Sequence, residues 1–166
     1  NKLLKDVSFP LPNIEHIMDR FKNKGFITSL DMKGGYWHVP LKKEHRERTA
    51  FIFNNKLYEW NTMCFGPKTA PQFFQKCMME IFEDMRDFVI VYMDDISICS
   101  ETLEEHKKHL KLVFERLAKH GIKLRIDKCL FGVDETEYLG FVINKDGIRS
   151  TRRYQEKVMN FPKPTG

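Results

Sequence analysis

The stretch Val89-Ile90-Val91-Tyr92-Met93-Asp94-Asp95-Ile96-Ser97-Ile98-Cys99 decides how the chain is read. Two β-rich, mostly apolar arms flank a pair of adjacent carboxylates, a pattern that predicts a hairpin with Asp94 and Asp95 at its tip. Turn chemistry does not ask for these residues, because a two-residue hairpin turn favours Asn-Gly or Asp-Gly, where positive φ is cheap. Neighbouring carboxylates also repel, and partial burial raises that cost unless a cation compensates. A hard divalent cation with oxygen ligands is the natural compensation.

Working outward, Phe26-Ile27-Thr28-Ser29-Leu30-Asp31 is a second strand-like run that ends on a carboxylate just before Gly34-Gly35. If the two strands lie side by side, Asp31 comes near Asp94. Three acids on neighbouring strand ends can hold two metal ions about 3.5–4 Å apart. The competing interpretation is a solvated Asp-Asp turn and an unrelated aspartate, and spacing alone does not choose between them.

The remaining pattern supplies a frame. Asn13 is placed to cap a helix with Ile14, Ile17, Met18 and Phe21 on one face, ending near Gly25. Residues 49–60 predict two short strands around Asn54-Asn55. From about Thr69 to Met85, Ala70, Phe73, Phe74, Cys77, Met78, Ile81 and Phe82 recur at helical spacing. A second long helix is predicted from about Thr102 to His120, with Leu103, Leu110, Val113, Phe114 and Leu117 on one side and Gly121 as its stop. Short strands are expected near 122–126 and 137–143, a turn at Asn144-Lys145-Asp146-Gly147, and a last helix over 151–160. Phe9-Pro10-Leu11-Pro12 and Phe161-Pro162-Lys163-Pro164 read as extended connectors. The sum is an α+β layer domain, with an antiparallel sheet backed by two long helices on one face.

Composition bounds rather than decides. A chain of 166 residues with 42% apolar content suits one domain with its own core. No apolar run approaches the roughly 18 residues of a membrane span, and the N-terminus lacks a signal-peptide layout, so no membrane and an intracellular setting are expected. Net charge +5 is compatible with a polyanionic partner without requiring one. Cys64, Cys77, Cys99 and Cys129 show no zinc-clip spacing and read as free thiols. His106 and His109, one turn apart beside Glu104 and Glu105, could bind metal, but a solvated helix face is the preferred interpretation.

Tyr92-Met93-Asp94-Asp95 matches the reverse transcriptase signature of tyrosine, a variable apolar residue and two aspartates, and it does not stand alone. Phe9-Pro10-Leu11-Pro12, Ser29-Leu30-Asp31 with Gly35-Tyr36, Arg48-Thr49-Ala50-Phe51, Tyr58-Glu59-Trp60, Phe65-Gly66 with Ala70-Pro71 and Phe74-Gln75 follow in family order. So do Glu104-Glu105-His106, Lys128-Cys129, Tyr138-Leu139-Gly140 and Gly147-Ile148. The ordered set covers nearly the whole chain and resembles the reverse transcriptases of Ty3/gypsy long-terminal-repeat retrotransposons.

The resemblance implies a polymerase palm with part of the fingers: 26–41 and 89–150 as palm core, 1–25 and 42–88 as fingers-side and connecting elements, 151–166 as the start of a connection to a thumb. It implies an RNA-directed DNA polymerase using two Mg²⁺ ions (Mn²⁺ as substitute) on Asp31, Asp94 and Asp95. Tyr36 would lie under the incoming sugar and exclude a 2′-hydroxyl; Phe65, Gly66 and Met93 would line the nucleotide site. Lys128 would sit near the triphosphate, and Tyr138, Leu139 and Gly140 would hold the primer end. Without the motif order, Tyr36 and Phe65 would read as core aromatics and Lys128 as a surface lysine. His38 in place of glutamine, Cys64 in place of proline and Pro67 in place of leucine depart from the pattern and bear on pocket detail.

Implied partners are an RNA or DNA template with its primer, dNTPs, and the rest of a polyprotein with thumb, ribonuclease H, protease and integrase. The implied setting is a cytoplasmic virus-like particle, the nucleus, or both. The resemblance further implies an excerpt whose fingers and thumb clamps are incomplete, expected to polymerise poorly alone. Two other functions compete: a domesticated or truncated nucleic-acid-binding element without catalysis, and an RNA-dependent RNA polymerase or nucleotide cyclase on a similar palm.

Overall fold

The structure is a computed structural model that describes Phe9, residues 14–145 and residues 147–160. The proline-rich connectors' Pro10 to Pro12 and 161–164, the Asn13 cap and Asp146 of the expected turn lie outside the described residues. Helix α1 (Ile14–Asp19) leads into β1 (Phe26–Asp31). Strands β2 (Phe51–Phe53) and β3 (Lys56–Tyr58) form a separate hairpin, and α2 (Ala70–Ile81) follows. Next come β4 (Val89–Tyr92), β5 (Asp95–Ser100) and α3 (Leu103–Lys119). The chain continues through β6 (Leu130–Val133), β7 (Glu135–Tyr138), β8 (Phe141–Asn144), β9 (Gly147–Ser150) and α4 (Arg152–Met159).

The central sheet has the order β4-β5-β1-β6, and its described pairings are antiparallel. Alternation assigns its faces. Leu30, Val89, Val91, Ile96 and Ile98 pack with Phe74, Met78 and Phe82 of and just beyond α2 and with Val113 and Leu117 of α3. Burial of that face is the main driving force for the layer, at roughly 1.5–3 kcal/mol per large side chain. Thr102 starts α3 with a reciprocal capping box to Glu105, worth about 1 kcal/mol. The α+β class and the two backing helices are therefore as expected.

On the opposite face of the sheet, Ile27, Ile90 and Cys99 bury against Ile17, Phe21, Tyr138 and Ile143. Some expectations need correcting. Residues 122–126 form no strand, only a bridge of Leu124 to Met32; the edge strand beside β1 is β6, whose Gly132 masks the alternation. The single strand expected over 137–143 is a hairpin, because Leu139 (φ 52°) and Gly140 (φ 84°) turn the chain between β7 and β8. On α3 the inward stripe includes His106, which is 1% exposed, while Leu103 and Phe114 are exposed. His106 is no solvated histidine: Thr28 Oγ1 lies 2.7 Å from its Nε2, and Ser100 Oγ lies 2.8 Å from its Nδ1 and 2.8 Å from His109 Nδ1. A buried imidazole needs partners on both nitrogens, and here two sheet hydroxyls supply them.

Candidate active site

The turn between β4 and β5 consists of Met93 and Asp94, since Tyr92 pairs with Asp95. Asp95 thus starts a strand instead of sharing the tip. Met93 has φ 54°, a left-handed conformation that a residue with a side chain adopts only when its surroundings impose it. Strand β1 runs beside β5 with Asp31 opposite Asp95, and the Met32 amide donates to the Asp94 carbonyl at 3.1 Å. Three carboxylates far apart in sequence are thereby gathered at one end of the sheet.

Gly35 explains how Asp94 fits. It is buried, and a Cβ on it would lie 1.9 Å from Asp94 Oδ1 and 3.0 Å from the Phe74 ring. The carboxylate occupies the space that any other residue would fill, so Gly35 serves as a cradle as well as a turn residue. Among the described residues, Asp94 Oδ1 is buried with no hydrogen-bond partner. Burial, followed by the charge of Asp31, pushes the Asp94 carboxyl above its usual range, with Arg125 and His38 opposing. Asp95, an exposed residue overall, is also raised, first by desolvation of its carboxyl, then by Asp31 and Asp94.

Asp31 is engaged by Arg125, whose guanidinium hydrogen-bonds its carboxylate and whose amide donates to the Asp31 carbonyl at 2.9 Å. Among the described residues, no three His, Cys, Asp or Glu side chains converge as a ready-made cation cage. The donors nevertheless suit a divalent ion: hard oxygens, an orphaned buried one among them, with two carboxyls whose ionised forms are only partly compensated. A cation binding there would compete with Arg125 for Asp31.

The other expected residues divide. Tyr36 and Phe65 meet, with ring centroids 5.0 Å apart, and Tyr36 also lies edge-on to Phe74 at 5.1 Å. Burial, followed by the charge of Asp94, raises the Tyr36 hydroxyl pKa. Phe65 is 69% exposed, and Gly66 follows it at φ 107°. Lys128 is exposed, at the end of the short 3₁₀ turn Ile126–Lys128 that Arg125 precedes. Tyr138 is buried, its ring 5.4 Å from Phe21, so the β7–β8 turn presents Leu139 and Gly140 instead. His38 bridges 3₁₀ turn and loop, accepting from the Lys123 amide at 3.1 Å.

Two residues that sequence reasoning passed over belong to the site. Arg125 is a further cation beside Asp31, and nothing in its sequence surroundings marks it. Gln75, fully buried on α2, binds the backbone on both sides of Tyr92, at the Val91 carbonyl and the Met93 amide that opens the turn. Its place beside Phe74 in the ordered motif set was the available signal.

Residues 1–143 match the family described as reverse transcriptase (RNA-dependent DNA polymerase). The chain belongs to the reverse transcriptase family. Relatives include the retrovirus-related Pol polyprotein from transposon 297 of Drosophila melanogaster, 34% identical over 95% of this chain and 15% of that one. The enzymatic polyprotein of cauliflower mosaic virus (strain Strasbourg) is 33% identical over 98% of this chain and 24% of its own length. The reverse transcriptase segment described here therefore spans less than a quarter of either polyprotein. Among solved structures, foamy viral protease-reverse transcriptase with double-stranded DNA superposes with TM-score 0.86 at 26% identity, covering 99% of this chain and 29% of that one. The same viral protein with an RNA/DNA hybrid gives TM-score 0.80 at 25% identity over 95% of this chain and 21% of that one. Among the described residues, no helix is long and apolar enough to cross a membrane.

Proposed function

We propose that the chain carries the nucleotidyl-transfer core of an RNA-directed DNA polymerase, a palm with part of the fingers, from a retrotransposon polyprotein of the Ty3/gypsy type. The observation that carries this reading is the carboxylate end of the sheet. Asp31 lies opposite Asp95 there and Asp94 stands in the adjoining turn, Gly35 leaves room for Asp94, and one buried Asp94 oxygen has no described partner. The ordered motif set supports the subtype.

Asp31, Asp94 and Asp95 would hold two Mg²⁺ ions (Mn²⁺ as substitute), which when bound lower the pKa of a primer 3′-hydroxyl and neutralise a leaving pyrophosphate. Around them, Tyr36 and Phe65 form an aromatic floor for the incoming deoxynucleotide. The Tyr36 ring leaves no room for a 2′-hydroxyl, and Gly66 lets backbone approach the nucleotide closely. Met93 would line the same nucleotide site, and exposed Lys128 would meet triphosphate oxygens. Leu139 and Gly140, with Tyr138 anchored behind them, present the primer-holding turn.

The foamy viral relative's complexes with double-stranded DNA and RNA/DNA hybrid support a primer–template partner for this chain. Thumb, ribonuclease H, protease and integrase segments, and an intracellular particle or nuclear setting, belong to the same proposal. Residues 26–41 and 89–150 act as palm, 1–25 and 42–88 as fingers-side elements and 151–166 as the lead to the thumb.

Primer extension with Mg²⁺ tests the proposal. Asp94→Asn is expected to lower extension by about 10²–10³-fold, because a preorganised charge at the reacting centre is lost. Equal, null activity in both proteins would instead support a nucleic-acid-binding element without catalysis. Tyr36→Ala is expected to admit ribonucleotides, and an unchanged sugar preference would count against the floor.

A further inference from the structure

Strand β4 is a sheet edge, and edges leave backbone donors and acceptors without a neighbouring strand. Two side chains close this one. Arg20 donates to the Val89 carbonyl at 2.9 Å, which covers a single group. Gln75 does more: its Nε2 donates to the Val91 carbonyl at 2.9 Å, and the Met93 amide donates to its Oε1 at 2.7 Å. One carboxamide thus offers the donor and acceptor that a peptide group of a further strand would offer. Its orientation is fixed, since a flipped amide would set oxygen against carbonyl and NH₂ against N–H.

The two bonded residues, Val91 and Met93, bracket Tyr92 and lead straight into Asp94. Met93 is also the turn residue held at φ 54°. A left-handed methionine costs roughly 1–3 kcal/mol and persists only where its surroundings over-determine it. Gln75, 0% exposed on α2, is the described side chain that bonds the Met93 amide. The same helix brings Phe74 against Tyr36 and against the Gly35 cradle.

We infer that Gln75 is a positioning residue for the reaction proposed above: acting through the Met93 backbone, it holds the strained turn so that the Asp94 carboxylate stays seated against Gly35, ready for a divalent cation. The inference rests on the polymerase reading for its functional half. Its structural half, that Gln75 holds Met93, stands separately.

Gln75→Met keeps length and apolar packing but removes both hydrogen bonds. In the full chain, the Met93 amide is expected to exchange hydrogen at least about tenfold faster, while amides inside α2 and β5 keep their protection. Binding of Mn²⁺ alone, without nucleotide, is expected to weaken by about 10–100-fold, as for other residues that orient metal ligands. kcat should fall with dNTP KM little changed. Adding Met93→Gly, which tolerates φ 54°, is expected to restore part of the Mn²⁺ affinity. Faster Met93 exchange with unchanged Mn²⁺ affinity and kcat would reduce Gln75 to packing and overturn the inference. Unchanged Met93 exchange would overturn it at its root. If instead the unsubstituted chain neither binds Mn²⁺ at Asp94 nor extends primers, the polymerase reading fails, and the exchange result still judges the Gln75–Met93 link.

Discussion

Two tight hairpin turns in this chain have opposite economies. The β2–β3 turn uses Asn54 (φ 47°) and Asn55 (φ 57°), residues whose short polar side chains tolerate the left-handed region. Around it, Ile52 (75% exposed) and Leu57 (74%) face outward, so little else constrains the loop. The β4–β5 turn places Met93 at φ 54° with an aspartate after it, beside Gly35 and under Gln75. One turn is built from residues that want its shape, and the other is forced into shape by surroundings from two distant parts of the chain. Forced geometry next to uncompensated carboxylates marks function; cheap geometry marks a connector.

The comparison breaks most readily at Gly35. Gly35→Ala places a methyl where Asp94 Oδ1 now sits, 1.9 Å from the ideal Cβ, with Phe74 behind at 3.0 Å and unable to retreat freely. The carboxylate must move by about an ångström, and displacements of that size cost about 10²-fold in rate. Primer extension should fall by that order, with far-ultraviolet circular dichroism unchanged. Undiminished extension would show that Asp94 need not rest in the cradle.

That cradle also shows where the sequence stops being readable. The β4–β5 hairpin, the Asn54-Asn55 hairpin and the start of α3 near Thr102 were legible, because each depends on residues a few positions apart. Gly35 was readable only as a turn, since its constraint comes from Asp94, 59 positions on (94 − 35). Arg125 on Asp31 and Gln75 on Met93 are side-chain contacts across long separations, which no local periodicity encodes. The β6 edge and the β7–β8 hairpin were missed for a different reason: Leu139-Gly140 lacks the usual turn signal, and its shape is held by Tyr138 and Phe141 in the second core cluster. His106 was misjudged because the glutamates beside it suggested solvent, although the stripe it shares with Val113 and Leu117 faces the sheet.

His106 gives a second, intermediate test, behind the forced turn. Burial, then the neighbouring His109, lowers its pKa from the ordinary 6.5. A histidine with a depressed folded pKa binds its proton more readily when unfolded, so stability is fully present above about pH 6.5 and declines as pH falls towards the folded value. The slope from this one group cannot exceed about 1.4 kcal/mol per pH unit. Urea midpoints between about pH 5 and 7 should therefore fall less steeply in His106→Gln than in the unsubstituted chain. Equal slopes would mean the Thr28–His106–Ser100 bridge does not keep the ring neutral.

The smallest effect is expected at the cheap turn, and it sharpens the contrast with Met93. Asn55→Ala puts a residue without a local hydrogen-bonding side chain at φ 57°, which costs about 1 kcal/mol. At this chain length, that is about 2–4 °C in melting temperature. Because β2 and β3 pair only with each other among the described strands, the loss should stay in the hairpin. Mn²⁺ affinity at the carboxylates should not change. A hairpin substitution that moved Mn²⁺ affinity as far as Gln75→Met is expected to would show that the two turns are mechanically coupled, and the distinction between forced and cheap turns would no longer separate function from connection.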